Sequence, residues 1–264
     1  MKRILSAAVF LPLFYFLVRR PPLYFSLLIT AACLLGLLEL YRLASLRGVR
    51  CNRAGGCLLA LGVLVTFFDP RLSLPGVVAC GAVVIPVWSL LERRPVEESL
   101  SSDSITFFGA VFLSTLLGFL VGLRRLGDEL GAKLIFFLFL VVWGGDAAAY
   151  YLGRLFGRHP LAPRVSPKKT IEGALGGFLG SWAGAQLARV WFFPEMTPLD
   201  GWILGGLLCA SGILGDLVES VWKRGAGAKD SATWVIGHGG ILDRCDSLLF
   251  GGPILYYYFL HWMG

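Results

Sequence analysis

The sequence predicts an all-α, polytopic membrane protein with about nine transmembrane helices. Of its 264 residues 56% are hydrophobic and only 16% are charged, whereas a soluble domain carries roughly 25% charged residues. Apolar runs also follow one another along the whole chain, most of them near the roughly 20 residues that cross a bilayer. A soluble core has room for one or two such runs, not for a continuous series.

The runs fall at 4–18, 23–45, 57–68, 74–91, 105–123, 132–152, 171–193, 202–222 and 247–262. The first, "MKRILSAAVFLPLFYFLV", has the basic tip of a signal peptide but is followed by "RRPP" instead of a small-x-small cleavage site. It is read as a retained first membrane helix. The second ends with Glu39 and Arg42, spaced to pair across one helical turn. The third is short, and a tilted, extended or re-entrant segment fits it equally. Asp146 lies near the inner end of the sixth. Before the seventh, "SPKKTIE" reads as a helix start, with Ser166 as N-cap, Pro167 at the first position and Lys168 and Lys169 in the first turn. Lysines there oppose the helix dipole, a conflict that a bound anion would relieve. A basic loop held to anionic lipid is the alternative.

Nine spans make the connections alternate sides. Seventeen lysines and arginines sit at the N-terminus and in the even-numbered connections, against six in the odd ones. The positive-inside rule therefore places the N-terminus in the cytoplasm and the C-terminus outside, in a bacterial inner (cell) membrane. In that setting the net charge of +7 reports basic loops at a membrane surface and not a nucleic-acid partner. The six cysteines form no CxxC pair and several lie in apolar runs, so they read as reduced packing residues without disulfides or zinc. The working division is residues 1–140 as a helical scaffold and residues 141–264 as a catalytic region, because polar groups enter the helix ends from Trp143 onward.

Acidic groups in membrane helices cost about 2.5–3.5 kcal/mol each on insertion scales, so each needs a reason. The eighth run ends in "GDLVESVWKR", where Asp216, Glu219 or Ser220, and Lys223 recur at helical spacing and share one face. Snorkelling anchors explain Lys223 and Arg224 but not the deeper Asp216. The ninth run is preceded by "HGGILDRCD", in which Gly239 and Gly240 permit a close backbone approach and Asp243 and Asp246 lie three apart. Such a pair suits a hard divalent cation, Mg²⁺ above all. A salt-bridged loop using Arg244 and Lys229 is the competing account. Carboxylates, cations and bare backbone gathered at one membrane face are the equipment for phosphate chemistry. A lipid and a soluble polyphosphate are the reactants that such a position suggests.

From Ser220, "SVWKRGAGAKDSATWVIGHGGILDRCDS" resembles the signature of the phosphatidate cytidylyltransferases, or CDP-diacylglycerol synthases: S-x-x-K-R-x4-K-D, a spacer, then H-G-G-x-x-D-R-x-D. Ser220, Lys223, Arg224, Lys229, Asp230, His238, Gly239, Gly240, Asp243, Arg244 and Asp246 meet every fixed position. The upstream "WGGDAAAYYLGRLFGRHPLAPRVSPKKTIEG" resembles the family's second block, departing at Ala147, where threonine is more usual. The resemblance implies transfer of CMP from CTP to phosphatidate with release of pyrophosphate, dependence on Mg²⁺ with room for a second cation, and a homodimer. It implies Asp216, Asp243 and Asp246 as metal ligands and Lys223, Arg224, Lys229 and Arg244 as the grip on phosphate. Asp230, His238 and Ser220 then serve orientation, and Lys168, Lys169, Asp146, Gly239 and Gly240 line the substrates. A CTP-using polyisoprenol kinase is the nearest rival, distinguished by releasing CDP. An ion-coupled transporter would instead require two halves with matched broken helices.

Overall fold

The computed structural model describes residues 2–69, 71–92, 95–231 and 240–263, with side chains from Leu11 onward. Among these residues the helical elements are α1 (Lys2–Arg19), α2 (Pro22–Ser45), α3 (Arg53–Phe68), α4 (Leu74–Ser89), α5 (Val96–Arg124), α6 (Asp128–Phe156), α7 (Ile171–Trp191), α8 (Pro198–Gly225) and α9 (Leu242–Tyr258). A short hairpin, β1 (Pro160–Ala162) with β2 (Ser166–Thr170), precedes α7, and a π-helical turn over Phe259–Met263 extends α9. Four helices, α2, α5, α6 and α8, are each long and apolar enough to cross a bilayer. The chain is an integral membrane protein. The third apolar run is a helix after all, though α3, like α4, has only 16 residues. At 1.5 Å per residue such a helix covers about 24 Å, less than the roughly 30 Å hydrocarbon core.

The chain divides into two compact units, each discontinuous in sequence: residues 1–125 with 222–244, and residues 126–221 with 245–264. This division follows packing, whereas the boundary near residue 140 follows where polarity enters the sequence.

In the first unit, α3 and α2 pack on α5 through polar stitches between apolar surfaces. The Tyr41 hydroxyl donates to the Thr106 carbonyl at 2.6 Å, and the Thr106 hydroxyl accepts from the Asn52 amide at 3.0 Å. The Asn52 side chain caps α3 by accepting from the Gly55 amide at 2.8 Å. Glycine at 56 is required by this arrangement, because a side chain there would collide with the Tyr41 ring. Arg124, only 1% exposed, closes the other end by donating to the carbonyls of Val18 and Arg20 at 2.9 and 2.7 Å.

In the second unit, α6 and α7 run together along a seam of small residues. A Cβ at Gly145 would strike the Ser181 hydroxyl, and one at Gly180 would strike Ala148. Small residues let two membrane helices approach closely where the lipid supplies no hydrophobic drive for association.

The start of α7 corrects the sequence expectation. Ser166 is not an N-cap; it opens β2, which pairs antiparallel with β1 through Pro160↔Thr170 and Ala162↔Ser166. The pairing with β1 holds residues 166–170 extended, which moves the helix start on to Thr170. The cap is Thr170, whose hydroxyl accepts from the Gly173 amide at 3.1 Å. Lys168 and Lys169 therefore lie on a strand, and the first turn of α7 carries Glu172, in accord with the dipole. Glu172 seals the root of the hairpin by accepting from the Arg158 and His159 amides and from His159 Nδ1 at 2.5 Å.

Candidate active site

The polar residues singled out in the C-terminal half collect into two clusters, one in each unit. The first cluster is built on α8 and α9 of the second unit. These helices come close where α8 presents glycine: a side chain at Gly215 would collide with the Asp246 carbonyl, and the Ser247 hydroxyl lies 3.5 Å from the Gly212 carbonyl. The close approach brings the carboxylates of Asp216, Glu219 and Asp246 together, each offering an oxygen within 4.8 Å of the others. Glu219 is only 2% exposed.

At that separation two ionised carboxylates repel by about 3–4 kcal/mol in an effective dielectric near 20. Positive charge offsets part of this. Lys169, reaching in from β2, places its Nζ 2.5 Å from Asp216 Oδ2. Strand alternation separates it from Lys168, which is exposed. The Ser220 hydroxyl, one turn beyond Asp216, donates to Asp216 Oδ1 at 3.4 Å. Asp146 on α6 stands near enough to feel the charges of Asp216 and Lys169. Three hard oxygen donors on two helices fit a divalent cation such as Mg²⁺, which accepts carboxylates as part of an oxygen shell. They are a poor match to zinc's preference for nitrogen and sulfur.

The second cluster belongs to the first unit. There the last turn of α8 supplies Lys223, whose ammonium pairs with Asp243 Oδ1 on the first turn of α9. Asp243 Oδ2 accepts from the Gly240 amide at 2.9 Å and lies 3.0 Å from the Ser231 hydroxyl. That hydroxyl is also 2.9 Å from Glu39 Oε2 on α2. Glu39, only 1% exposed, accepts in addition from the amides of Ile241 and Leu242, each at 2.9 Å. Arg224, Lys229, Asp230 and Arg244 are exposed in the same unit, with Arg224 donating to the Ala228 carbonyl at 3.0 Å. His238 and Gly239 lie outside the described residues.

Of the three aspartates expected to share a metal, Asp216 and Asp246 stand in one cluster. Asp243 lies one turn before Asp246 on α9, with Lys223 as an ionic partner. Two further acids take positions that spacing alone does not assign. Glu219 was visible as the i+3 companion of Asp216, on the face already noted. Glu39, spaced to pair with Arg42, instead faces the Ser231 hydroxyl and accepts from the Ile241 and Leu242 amides, about two hundred residues away and beyond any spacing rule.

Residues 1–262 match the family model described as the Cytidylyltransferase family. The chain is 32% identical over 266 residues to the phosphatidate cytidylyltransferase of Bacillus subtilis (strain 168), covering 97% of this chain and 96% of that protein. It is 30% identical over 289 residues to the enzyme of that name from Synechocystis sp., covering 97% and 95%. It is 35% identical over 235 residues to that of Staphylococcus aureus (strain COL), covering 85% and 86%.

Proposed function

The chain belongs to the cytidylyltransferase family, among the phosphatidate cytidylyltransferases, and on that premise we propose that it transfers CMP from CTP to phosphatidate in a Mg²⁺-dependent site at the cytoplasmic face of the membrane. The products are CDP-diacylglycerol and pyrophosphate. The observation that carries the metal assignment is the convergence of Asp216, Glu219 and Asp246 within 4.8 Å. Bound there, Mg²⁺ supplies Lewis acidity and neutralises charge on the CTP phosphates. The family pattern adds Asp243, which leads the same helix by one turn.

The reaction brings two anions together, so its main difficulty is electrostatic. The phosphatidate oxygen is already ionised and attacks the α-phosphorus without a strong base. The bond to the β-phosphate oxygen breaks as the new one forms, and pyrophosphate leaves with both electrons of that bond. Lys223, Arg224, Lys229 and Arg244 offer donors to the phosphates of CTP and of the lipid headgroup. Charge-assisted hydrogen bonds are about twice as strong as neutral ones. Lys169, paired with Asp216, would offer its ammonium to a substrate phosphate, and Asp216 would be among the residues that hold the metal. Lys168 offers a second, exposed ammonium beside it. Ser220, Asp146, Asp230, His238, Gly239 and Gly240 orient the reactants. The excess of basic residues in the even connections supports a cytoplasmic site, where soluble CTP is available.

The direct test incubates purified protein in detergent with α-labelled CTP, phosphatidate and Mg²⁺. The expected result is a labelled cytidine-bearing lipid with one pyrophosphate per turnover, and no product in excess chelator. Release of CDP with a phosphorylated lipid would overturn the reading in favour of a kinase.

A further inference from the structure

The metal cluster and the basic grip leave Glu39 unexplained. A carboxylate in the middle of an apolar helix is expensive unless charge or hydrogen bonds answer it. Here hydrogen bonds from one short stretch answer it. Glu39 takes the amides of Ile241 and Leu242, which are among the N–H groups that the N-terminus of α9 leaves without a helical acceptor. It also faces the Ser231 hydroxyl at 2.9 Å, and that hydroxyl faces Asp243 at 3.0 Å. A helix is ordinarily capped by its own neighbouring Ser, Thr, Asp or Asn. This one is capped from α2.

We infer that Glu39 is a positioning residue for the reaction: it fixes the first turn of α9 and, through Ser231, the aim of the Asp243 carboxylate. The Ser231 hydroxyl carries one hydrogen between two carboxylate oxygens, so the rotamer of each acid depends on the other. The backbone is shaped around this link. A side chain at Gly240 would collide with both the Ser231 hydroxyl and the Glu39 carboxylate, which gives this glycine of the signature a steric reason of its own. Glu39 also places a protein anion at the positive end of α9, so that end is closed to substrate phosphate and the phosphates are left to the lysines and arginines. Asp246 follows Asp243 by one turn of the same helix, so the register set at residues 240–242 carries to both aspartates. The inference rests on the proposed reading of these aspartates as groups that serve metal and phosphate.

The test uses Glu39→Gln, which keeps the shape but replaces one acceptor by a donor facing the amides, and Ser231→Ala, which removes only the link. Binding of Mn²⁺ to the purified protein in detergent, followed by electron paramagnetic resonance, is read beside the kinetics. Partners that orient metal ligands typically contribute about 10–100-fold in affinity or activity. Glu39→Gln is expected to weaken Mn²⁺ binding by about tenfold and to lower kcat by about 10–100-fold, with the KM for phosphatidate unchanged. Ser231→Ala is expected to move both in the same direction by less. The double variant should be no worse than Glu39→Gln alone, as required of residues acting through one another. Should Glu39→Gln fail to fold, Ser231→Ala carries the test. A lowered unfolding temperature with wild-type kcat and Mn²⁺ affinity in the folded protein would reduce Glu39 to a structural cap and overturn the inference. Fully additive effects would do the same. If the wild type made no cytidine lipid while the Mn²⁺ shift persisted, the proposed reaction would fall and the positioning role would stand.

Discussion

The two acidic clusters use the same residue types to opposite ends. In the second unit, Asp216, Glu219 and Asp246 converge within 4.8 Å, with Lys169 and the Ser220 hydroxyl on Asp216 and the Ser247 amide donating to Asp246 Oδ1 at 2.7 Å. In the first unit, Glu39 and Asp243 are surrounded by donors: four backbone amides, a shared hydroxyl and the Lys223 ammonium. Carboxylates answered by backbone amides fix a conformation. Carboxylates facing one another call for a cation, because each ionised neighbour raises the cost of the next. The contrast lies in what faces each acid: mostly other carboxylates in the second unit, mostly donors in the first. An acid count along the sequence does not reveal it.

The sharpest way to break the contrast is to neutralise one acid of the convergent cluster. Asp246→Asn is expected to lower the rate of CMP transfer by about 10²–10³-fold, the range seen when one preorganised electrostatic contact is removed from an active site. Yield and thermal stability should hold or rise slightly, since a repulsion is relieved. Wild-type turnover measured with labelled CTP would remove this cluster from the chemistry. Glu219→Gln comes next, with about a 10–100-fold loss that excess Mg²⁺ partly restores. A loss indifferent to Mg²⁺ concentration would make Glu219 a packing residue.

Lys169→Met tests the counter-charge itself. Methionine keeps most of the stem and removes the ammonium, so Asp216 loses its ionic partner without a large void. The expected result is a rise of about tenfold in the KM for CTP, on the scale of one charge-assisted contact of about 1.5–3 kcal/mol, with a smaller change in kcat. Apparent affinity for Mg²⁺ should increase, because the cation no longer competes with an ammonium for Asp216. A fall in Mg²⁺ affinity would show that Lys169 supports the metal site and does not compete with it.

Much of this was legible in the sequence, for identifiable reasons. The apolar runs appear as helices among the described residues, four of them long and apolar enough to cross a bilayer, because backbone in lipid must satisfy its hydrogen bonds internally, which leaves helix as the outcome for a single run. Asp216 and Asp246 were legible because each sits at helical spacing from other polar groups. What escaped were relations between distant stretches. Nothing near Glu39 announces Ile241, Leu242 and Ser231, and nothing in "GDLVES" states that Gly215 will touch the Asp246 carbonyl. The helix start at "SPKKTIE" was misplaced for a local reason. Two capping residues compete there, Ser166 and Thr170, and pairing with β1, which spacing does not announce, keeps the first of them in a strand.

That competition supplies the smallest of the predictions and refines the comparison, because the choice of cap sets which face of β2 carries Lys169 toward Asp216. With Thr170 as the cap, its hydroxyl accepting from Gly173 at 3.1 Å, Thr170→Ala should cost about 1 kcal/mol of stability. The loss would appear as a drop of a few degrees in the detergent unfolding temperature, and Ser166→Ala should leave that temperature nearly unchanged. Thr170→Ala should also raise the KM for CTP modestly, since a looser junction between β2 and α7 lets Lys169 wander from its aspartate. If Ser166→Ala proved the costlier change, α7 would begin at Pro167. Both lysines would then occupy a helical first turn, and the ion pair between Lys169 and Asp216 that distinguishes the convergent cluster would lose its strand.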